Sequence, residues 1–473
     1  MLFSSPIFLF LFLPTTLLVY YLIPRKLKNV FLLLMSLMFY SWGEYKLVQL
    51  IILSAVVDFF SALIIETGRR KLGLYMSLIF NIGILVYFKY ADFAFTNLAV
   101  FLSHFNISIE NATRFSDVIL PLGISFYTFQ TMSYTIDVYR GHVEADKNFI
   151  NFATYVTLFP QLIAGPIVRY KDIQLELKSR KTTLPLFTEG VERFIIGLAK
   201  KMIIANNCAF LADGIFNMPS DEMSSFIGWL GVIAYSLQIY FDFSGYCDMA
   251  IGLGKMLGFN FPENFNYPYI AKSIREFWRR WHITLSQWFR DYVYISLGGN
   301  RKSSARTYIN LMIVFFITGL WHGANWTFIV WGLIHGLFII IERTGFNKTL
   351  NKLPTLIAHL YLLFIVSISW VFFRSETIAD AINFIKAMFS FEVQTNTEFL
   401  YFYFSKETLI VLILAIIFST HIPRRLNQWI ILKLSSNPSL YSISKYSCLI
   451  ILFIVSCIYI SVDSYNPFIY FRF

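Results

Sequence analysis

Apolar runs of membrane-spanning length recur along the whole chain, separated by short segments that hold most of the charged residues. A helix needs about 20 mostly apolar residues to cross the ~30 Å hydrocarbon core of a bilayer. Candidate spans occupy residues 6–23, 29–42, 47–65, 72–89, 91–104, 116–138, 149–167, 190–212, 225–258, 307–321, 324–341, 355–373, 408–420 and 446–463. Some runs are short and 225–258 has room for a break, so the pattern predicts an all-α membrane protein with about eleven to thirteen transmembrane helices.

One stretch, Ile313 to Ile341, is long enough to enter the bilayer twice and is apolar except at its middle. There it reads GLWHGAN, with His322 between small residues. The bilayer core cannot hydrate an imidazole, so an intramembrane histidine faces protein or a water-filled cavity. We predict that His322 is the chemical centre and that the other helices form a ring around a cavity that contains it.

Glycines flank this histidine and a second one, His335, at small-xxx-small spacing, which lets helices approach closely. Two interpretations of His322 are open. It is a general base, for which imidazole is the commonest choice, or it only hydrogen-bonds across a helix contact. His335 follows 13 positions later and would lie on another face of a continuous helix, so we expect it to be structural.

The polar stretch 262–306 predicts one amphipathic helix that ends at Gly298 and Gly299. One face carries Ile274, Phe277, Trp278, Trp281, Leu285, Trp288, Phe289 and Tyr292, and an adjoining stripe carries Arg275, Arg279, His282, Ser286 and Arg290. The helix is either an anchor at the membrane interface, or its basic stripe guides an anionic group toward His282, where the stripe meets the apolar face.

Two carboxylates, Asp242 and Asp248, lie inside an apolar run, where each must pair with a cation, accept several hydrogen bonds or line water. Asp242 has two possible roles: a functional one, in which it orients a histidine or closes the cavity, and a structural one. For Asp248 we expect an ion pair with an arginine near 275–280. Gln161 lies in a segment broken by Pro160, Gly165 and Pro166, which either lines a substrate path or is a kink.

Composition agrees with the membrane class, since 57% of residues are hydrophobic, only 14% are charged and mean hydropathy is +0.60. The net charge of +11 reflects basic loops facing the cytoplasm and anionic lipid, with no nucleic-acid motif. The positive-inside rule places Arg25 in the cytoplasm. The four cysteines lack CxxC spacing, so no metal site or disulfide is expected.

No long polar domain or internal repeat interrupts the chain, so we predict one polytopic domain over 1–473, with its catalytic half at about 225–345. The sequence contains no G-x-S-x-G, H-E-x-x-H, Walker A or G-x-G-x-x-G motif, which disfavours a serine hydrolase, zinc protease, ATPase or dinucleotide enzyme.

Long ordered motifs resemble the membrane-bound O-acyltransferase family, most closely its bacterial branch that serves alginate and peptidoglycan O-acetylation. They are PLGISFYTFQTMSYTIDVYRG (121–141), FPQLIAGPIVRY (159–170), IYFDFSGYCDMAIGLGKMLGFNFPENFNYPY (239–269), FWRRWHITLSQWFRDYVYISLGGNR (277–301), GLWHGANWTFIVWGLIHG (319–336) and NPFIYFRF (466–473). Cys247 is a mild departure, because that branch often has serine there.

The resemblance implies that His322 is the family's catalytic histidine and that His282 is the second histidine of the bacterial branch. It also implies a ring of tilted helices around a thinned centre, in a multi-pass protein of the bacterial cytoplasmic membrane. The implied donor is a cytoplasmic thioester, acetyl-CoA or an acyl carrier protein, with no bound cofactor. The implied partners are a serine-esterase-like extracytoplasmic enzyme and a polysaccharide acceptor. We place Asp242, Arg275, Arg279, Trp321, Asn325 and Gln161 on the donor and substrate path, with His335 and Asp248 as supporting residues.

Three alternatives remain open at this stage. The sister branch of the family transfers D-alanine to teichoic acid with a carrier protein, and its pattern is similar. A transporter or lipid flippase would also have buried carboxylates and broken helices, commonly within inverted repeats. A scaffold that only anchors an outer enzyme would need neither histidine.

Overall fold

The computed structural model describes residues 1–107, 118–390, 397–462 and 468; for residues 397 and 400 it describes the backbone only. The start of candidate span 116–138 and most of the terminal motif 466–473 therefore lie outside the described residues. In the described part of the chain the regular structure is helical throughout, without strands, which confirms the predicted all-α class.

The chain divides into two compact units. Unit 1 comprises Met1–Glu189, Leu253–Pro262 and Gly323–Asn325, and unit 2 comprises Gly190–Gly252, Glu263–His322 and Trp326–Phe473. The helices of unit 1 are α1 (Leu13–Leu22), α2 (Lys28–Glu44), α3 (Val48–Glu66), α4 (Arg70–Leu85), α5 (Ala91–Ser103), α6 (Ile124–Arg140), α7 (Phe149–Thr157), α8 (Phe159–Leu162) and α9 (Tyr170–Lys178).

The chain then continues through α10 (Leu184–Ala199), α11 (Asn206–Phe216), α12 (Ser225–Leu257), α13 (Ile274–Trp278), α14 (Ile283–Trp288), α15 (Ser304–His322), α16 (Trp326–Ile341), α17 (Asn347–Leu350), α18 (Thr355–Arg374), α19 (Ile378–Met388), α20 (Thr397–Tyr403), α21 (Lys406–Phe418), α22 (Ile422–Lys433) and α23 (Pro438–Val462). Helices α10 and α12 cross the boundary between the units. The remaining helices of this series belong to unit 2.

Several helices are joined into longer rods by π-helical turns, which insert one extra residue per turn. Such turns occur at Phe8–Phe12, Val86–Tyr90, Lys200–Ala205, Phe289–Tyr294 and Glu342–Phe346. The turn at Val86–Tyr90 makes one apolar helix of Arg70–Ser103, where the sequence predicted two spans, 72–89 and 91–104. The run 225–258, which the sequence left open to a break, forms the continuous helix α12.

Within the described residues, eight helices are long and apolar enough to cross a membrane, or nine if the bent pair α21 and α22 counts as one span. The polytopic membrane class is therefore confirmed. The finer count of eleven to thirteen spans, the ring arrangement and the boundaries of the catalytic half stay predictions.

The predicted single amphipathic helix over 262–306 was wrong in its continuity. Two short helices, α13 and α14, are separated by a break at which His282 has a φ of 43°. Its predicted apolar face is nevertheless correct, since all eight of those side chains are buried. The stretch packs into unit 2. The local spacing of apolar residues therefore predicts which side chains are buried, even though the helix is interrupted.

Glycines bring α15 and α16 into direct backbone contact, as the small-xxx-small spacing predicted. A Cβ on Gly319 would meet the carbonyl oxygen of Phe328, and a Cβ on Gly332 would meet that of Phe315. The α carbon of Gly319 lies 3.2 Å from the position of the Gly332 Cβ. This contact brings the end of α15, where His322 lies, against the first turns of α16.

Gly319→Ala is expected to destabilise unit 2 by about 1–3 kcal/mol, the usual cost of overpacking. The atom that the new methyl group meets belongs to the backbone of Phe328 and cannot rotate away. Gly83→Ala is the matched control, because that helical glycine has no atom within 4 Å of its Cβ position. Thermal unfolding of the two purified variants in detergent measures their stabilities. Equal unfolding midpoints for Gly319→Ala and Gly83→Ala would contradict the prediction.

Candidate active site

His322 is the last residue of α15, and α16 begins four positions later at Trp326. Its side chain is 3% exposed. Three aromatic rings surround the imidazole: the ring centroids of Trp321 and Trp331 lie 4.9 Å from it, and that of Phe373 lies 5.2 Å away. The helix ends because Gly323 and Ala324 leave the helical path, which places the imidazole at a break between two apolar helices.

His282 is fully buried and has a left-handed backbone, with φ 43° and ψ 54°. This conformation is costly for a residue with a Cβ, and residues held in it cluster at functional sites. The strain arises where α13 ends and α14 begins, because His282 is the residue preceding the first turn of α14. Arg279 and Arg290 of the predicted stripe are exposed, so the break separates His282 from the arginines beside it in sequence.

Asn264 fixes the tautomer of His282. Its amide oxygen lies 3.1 Å from Nδ1 of His282, and it also accepts from the backbone N–H and the hydroxyl of Thr284 at 3.1 and 2.9 Å. An amide oxygen only accepts, so Nδ1 carries the proton and Nε2 carries the lone pair of the neutral ring. Burial lowers the pKa of His282 from its ordinary value of 6.5 to about 3, which keeps the ring neutral at pH 7.

The indole of Trp321 contacts both histidines. Its ring centroid lies 6.0 Å from that of His282 and 4.9 Å from that of His322. Phe243 packs edge-on against His282 at 4.7 Å from the other side. The structure therefore brings together three residues that the sequence singled out, His282, Trp321 and His322, within one aromatic cluster of unit 2.

Asn264→Leu is expected to lower the free energy of unfolding by about 1–3 kcal/mol per donor left without an acceptor, because the site is buried. It also removes the group that keeps the lone pair of His282 on Nε2. Asn266→Leu is the nearby control, since the side chain of Asn266 makes no hydrogen bond within the described residues. Urea unfolding in detergent measures the difference, and equal stability of the two variants would refute it.

His335, for which the sequence predicted a structural role, is buried and makes contacts through both ring nitrogens. Its Nδ1 accepts a hydrogen bond from the indole N–H of Trp278 at 3.3 Å, and its Nε2 lies 3.0 Å from the hydroxyl of Ser369. The ring also lies 5.1 Å from Trp331, whose other side contacts His322. Both nitrogens are therefore engaged, and His335 supports the aromatic wall behind His322.

Asp242 forms a buried ion pair with Lys201, at 2.5 Å between Oδ1 and Nζ. Both side chains are 3% exposed. The lysine is in the π-helical turn Lys200–Ala205, and its ammonium also lies 4.8 Å from the ring of Phe468. Lys201 was not predicted as the partner of Asp242, although a lysine inside a mainly apolar run is a signal that it needs an anion.

Asp248 is in an ion pair, as predicted, but the predicted partner was wrong. Its carboxylate contacts Arg193 at 2.8 Å and Lys200 at 2.6 Å, not an arginine near 275–280. Arg193 also pairs with Glu263 at 2.5 Å. The network joins α10, α12 and the segment after α12, so it stabilises that packing.

The other predicted path residues are more dispersed. Arg275 and Arg279 are exposed and form no ion pair within the described residues. The backbone N–H of Arg275 donates to Glu342, so that end of α13 is fixed while the guanidinium extends outward. Asn325 is half-buried, and Gln161 is buried in unit 1, where its amide donates to the carbonyl of Tyr155 at 2.8 Å.

The described residues contain no group of three or more His, Cys, Asp and Glu side chains that could hold a metal ion. What the aromatic cluster offers chemically is imidazole. A neutral histidine accepts a proton from a hydroxyl and returns it to a leaving group.

The family model described as "MBOAT, membrane-bound O-acyltransferase family" matches residues 37–374 of this chain. The chain belongs to the membrane-bound O-acyltransferase family. It is therefore an acyltransferase that acts on an acyl donor from within the membrane, and the polytopic helical fold is the one this family implies.

Named relatives cover most of the chain. A probable alginate O-acetylase of Azotobacter vinelandii is 45% identical over 83% of this chain and 78% of its own length. A probable alginate O-acetylase of Pseudomonas putida is 40% identical over the full length of both. A peptidoglycan O-acetyltransferase of Helicobacter pylori is 38% identical over 82% of this chain and 80% of its own.

Proposed function

We propose that this acyltransferase takes an acetyl group from a cytoplasmic thioester, acetyl-CoA, and delivers it for O-acetylation of an extracytoplasmic polysaccharide. The observation that carries the proposal is the aromatic cluster in which Trp321 contacts both His282 and His322 inside a bundle of apolar helices. Relatives named for alginate and peptidoglycan O-acetylation support the acetyl group and the polysaccharide acceptor. The proposed location is the bacterial cytoplasmic membrane.

His322 is the proposed general base. The acceptor hydroxyl attacks the thioester carbonyl, an O–C bond forms and the C–S bond breaks. The hydroxyl proton passes to the imidazole and then to the departing thiolate, so that atoms and charge balance. The role rests on the ability of imidazole to take a proton from a hydroxyl and return it to a leaving group near neutral pH.

His282 is the proposed second base or hydrogen-bonding residue, because the proton on Nδ1 leaves the lone pair on Nε2. Trp321 positions the two rings against each other. We propose a supporting role for Asp242, which is held by Lys201, and for His335 behind the aromatic wall.

Arg275 and Arg279 are proposed to attract the phosphates of the donor. Both are exposed, and the nearest carboxylate interaction of Arg275 is electrostatic, with Glu342. Guanidinium groups bind phosphate oxygens in pairs, which suits coenzyme A better than a neutral donor. Asn325 and Gln161 are proposed to line the path of the donor or substrate, on the basis of their sequence context alone.

An extracytoplasmic serine-esterase-like enzyme is the proposed partner that completes transfer to the polymer. An acyl carrier protein as donor, with D-alanine as the group, is the alternative within the same family. The neighbouring genes discriminate between the two. A gene for a secreted esterase beside this one would support acetylation, whereas genes for D-alanine activation and its carrier would support the alternative.

The test uses the full chain in proteoliposomes with radiolabelled acetyl-CoA outside and an oligosaccharide acceptor with the purified partner enclosed. We expect acetylated oligosaccharide and free coenzyme A in equal amounts. Labelled D-alanyl carrier protein in place of acetyl-CoA is the matched control. Solute uptake without thioester consumption would instead identify a transporter and refute the proposal.

A further inference from the structure

Unit 1 has a groove of about 580 Å³ that plays no part in the chemistry described above. It lies between α1 and the segment that leads into α10, and its wall includes Leu18, Leu22 and Leu184. These three side chains are 64%, 75% and 78% exposed. An open groove with this apolar lining suits a hydrocarbon chain better than a polar metabolite.

Basic residues gather at the border of this groove. Nζ of Lys28 lies 4.1 Å from the ring centroid of Tyr20 and 5.4 Å from that of Tyr21, and Tyr21 is part of the groove wall. Arg180 and Lys181 directly precede Thr182, which also lines the groove. Positive charge is therefore placed where the apolar wall begins.

Within the described part of the chain, none of Arg25, Lys26, Lys28, Arg180 and Lys181 forms an ion pair. The pKa of Lys28 is lowered, first by burial and then by repulsion from Arg180 and Arg25. Basic side chains beside an apolar groove, with Lys28 repelled by Arg180 and Arg25, form a binding surface for an anion with a hydrophobic tail.

Arg180 is held in place by neutral groups. Its Nε donates to the hydroxyl of Tyr20 at 2.8 Å, and its Nη1 donates to the amide oxygen of Asn29 at 2.6 Å. Its guanidinium also lies 4.6 Å from the ring of Phe259. These contacts fix the guanidinium without cancelling its charge, so the positive potential at the end of the groove is preorganised.

We propose that this groove binds an anionic phospholipid, with one acyl chain along Leu18, Leu22 and Leu184 and the phosphate near Lys28, Arg180 and Lys181. The exposed leucines require a lipid tail, which distinguishes this ligand from free phosphate or coenzyme A. The positive-inside rule assigns the basic residues to the cytoplasmic leaflet, where anionic lipid is the matching headgroup.

The test is native mass spectrometry of the full chain in detergent, with phosphatidylglycerol and phosphatidylcholine of the same acyl chains added at equal concentrations. We expect the wild type to retain phosphatidylglycerol preferentially. Lys28→Gln/Lys181→Gln is expected to weaken that binding by about 25-fold, at about fivefold for each basic residue near a lipid headgroup. Lys348→Gln/Lys352→Gln, two exposed lysines of unit 2, is the charge-matched control.

Thr183→Trp keeps all five cations and fills the groove that Thr183 lines, so it is expected to expel the lipid. It also removes the hydroxyl that accepts from the backbone N–H of Leu186, and the loss of such a cap lowers thermal stability. Equal retention of the two lipids by the wild type would overturn the proposal. So would an equal loss in the control double variant, or phosphatidylglycerol retention that survives Thr183→Trp. Displacement of the lipid by coenzyme A at micromolar concentration would make this the donor site and also overturn it.

Discussion

His322→Ala is expected to reduce acetyl transfer by about 10²–10⁴, the usual contribution of a general base. The imidazole lies at the break between α15 and α16, with Trp321, Trp331 and Phe373 packed around it. His335 is a poor substitute for it, since both nitrogens of His335 are already in hydrogen-bonding contacts. The measurement is the rate of acetylated oligosaccharide formation in proteoliposomes.

His104→Ala is the matched control, because His104 is exposed in unit 1 and, among the described residues, its ring bonds to the carbonyl of Val100, one turn earlier. Its transfer rate should equal that of the wild type. The His322 variant must also insert and unfold at a normal temperature, which separates lost chemistry from lost structure. A folded His322→Ala protein that acetylates at the wild-type rate would remove this residue from the mechanism.

His282→Ala supplies the second half of this experiment. If the two histidines act in one proton-transfer unit, the double variant should be about as active as the less active of the two single variants. The losses do not multiply in that case, because the effects of residues that act together are non-additive. If the losses multiply, His282 acts in a separate step. Normal acetylation by the double variant would leave only the scaffold hypothesis.

Lys201→Ala is expected to lower the free energy of unfolding by about 3–5 kcal/mol, the cost of leaving one member of a buried ion pair without its partner. Asp242 is 3% exposed, and Lys201 is the cation that its carboxylate contacts at 2.5 Å. Removal of the ammonium takes away the cation that this buried carboxylate contacts directly. Denaturant unfolding of the purified protein in detergent measures the loss.

Lys255→Ala is the control for that loss, because Lys255 pairs with Glu189 at 2.8 Å and the glutamate is 59% exposed. An exposed pair contributes about 0–1 kcal/mol. Lys201→Met/Asp242→Leu should recover most of the stability, since a buried pair can be replaced by apolar residues at little cost. If that double variant is stable and still transfers acetyl groups, Asp242 is not needed on the substrate path.

The local pattern predicted burial better than it predicted backbone geometry. The apolar face of 274–292 was assigned correctly, because a side chain's tendency to leave a polar environment depends on its own chemistry and its spacing. The break at His282 was not visible, because a left-handed φ on a residue with a Cβ is imposed by surroundings, here the three hydrogen bonds of Asn264. Nothing in the segment ENFNYP marks that asparagine.

The sequence predicted that the buried carboxylates pair with cations, but it did not predict which cations. A buried carboxylate must find a cation, so the ion pair of Asp248 could be expected from its apolar context. Which cation it finds depends on how α10 packs on α12, and the structure assigns Arg193 and Lys200. The same is true of Lys201 and Asp242, which are 41 positions apart in the chain.

By itself, the sequence determined that this chain is a polytopic helical membrane protein and that it carries family motifs centred on His322 and His282, because hydropathy and motif spacing are local properties. Only the tertiary structure decided that Trp321 contacts both imidazoles, that Asn264 fixes the tautomer of His282 and that Lys201 neutralises Asp242. Most of those contacts join residues far apart in the chain, and the pairing of such residues depends on how the helices pack and not on any local pattern.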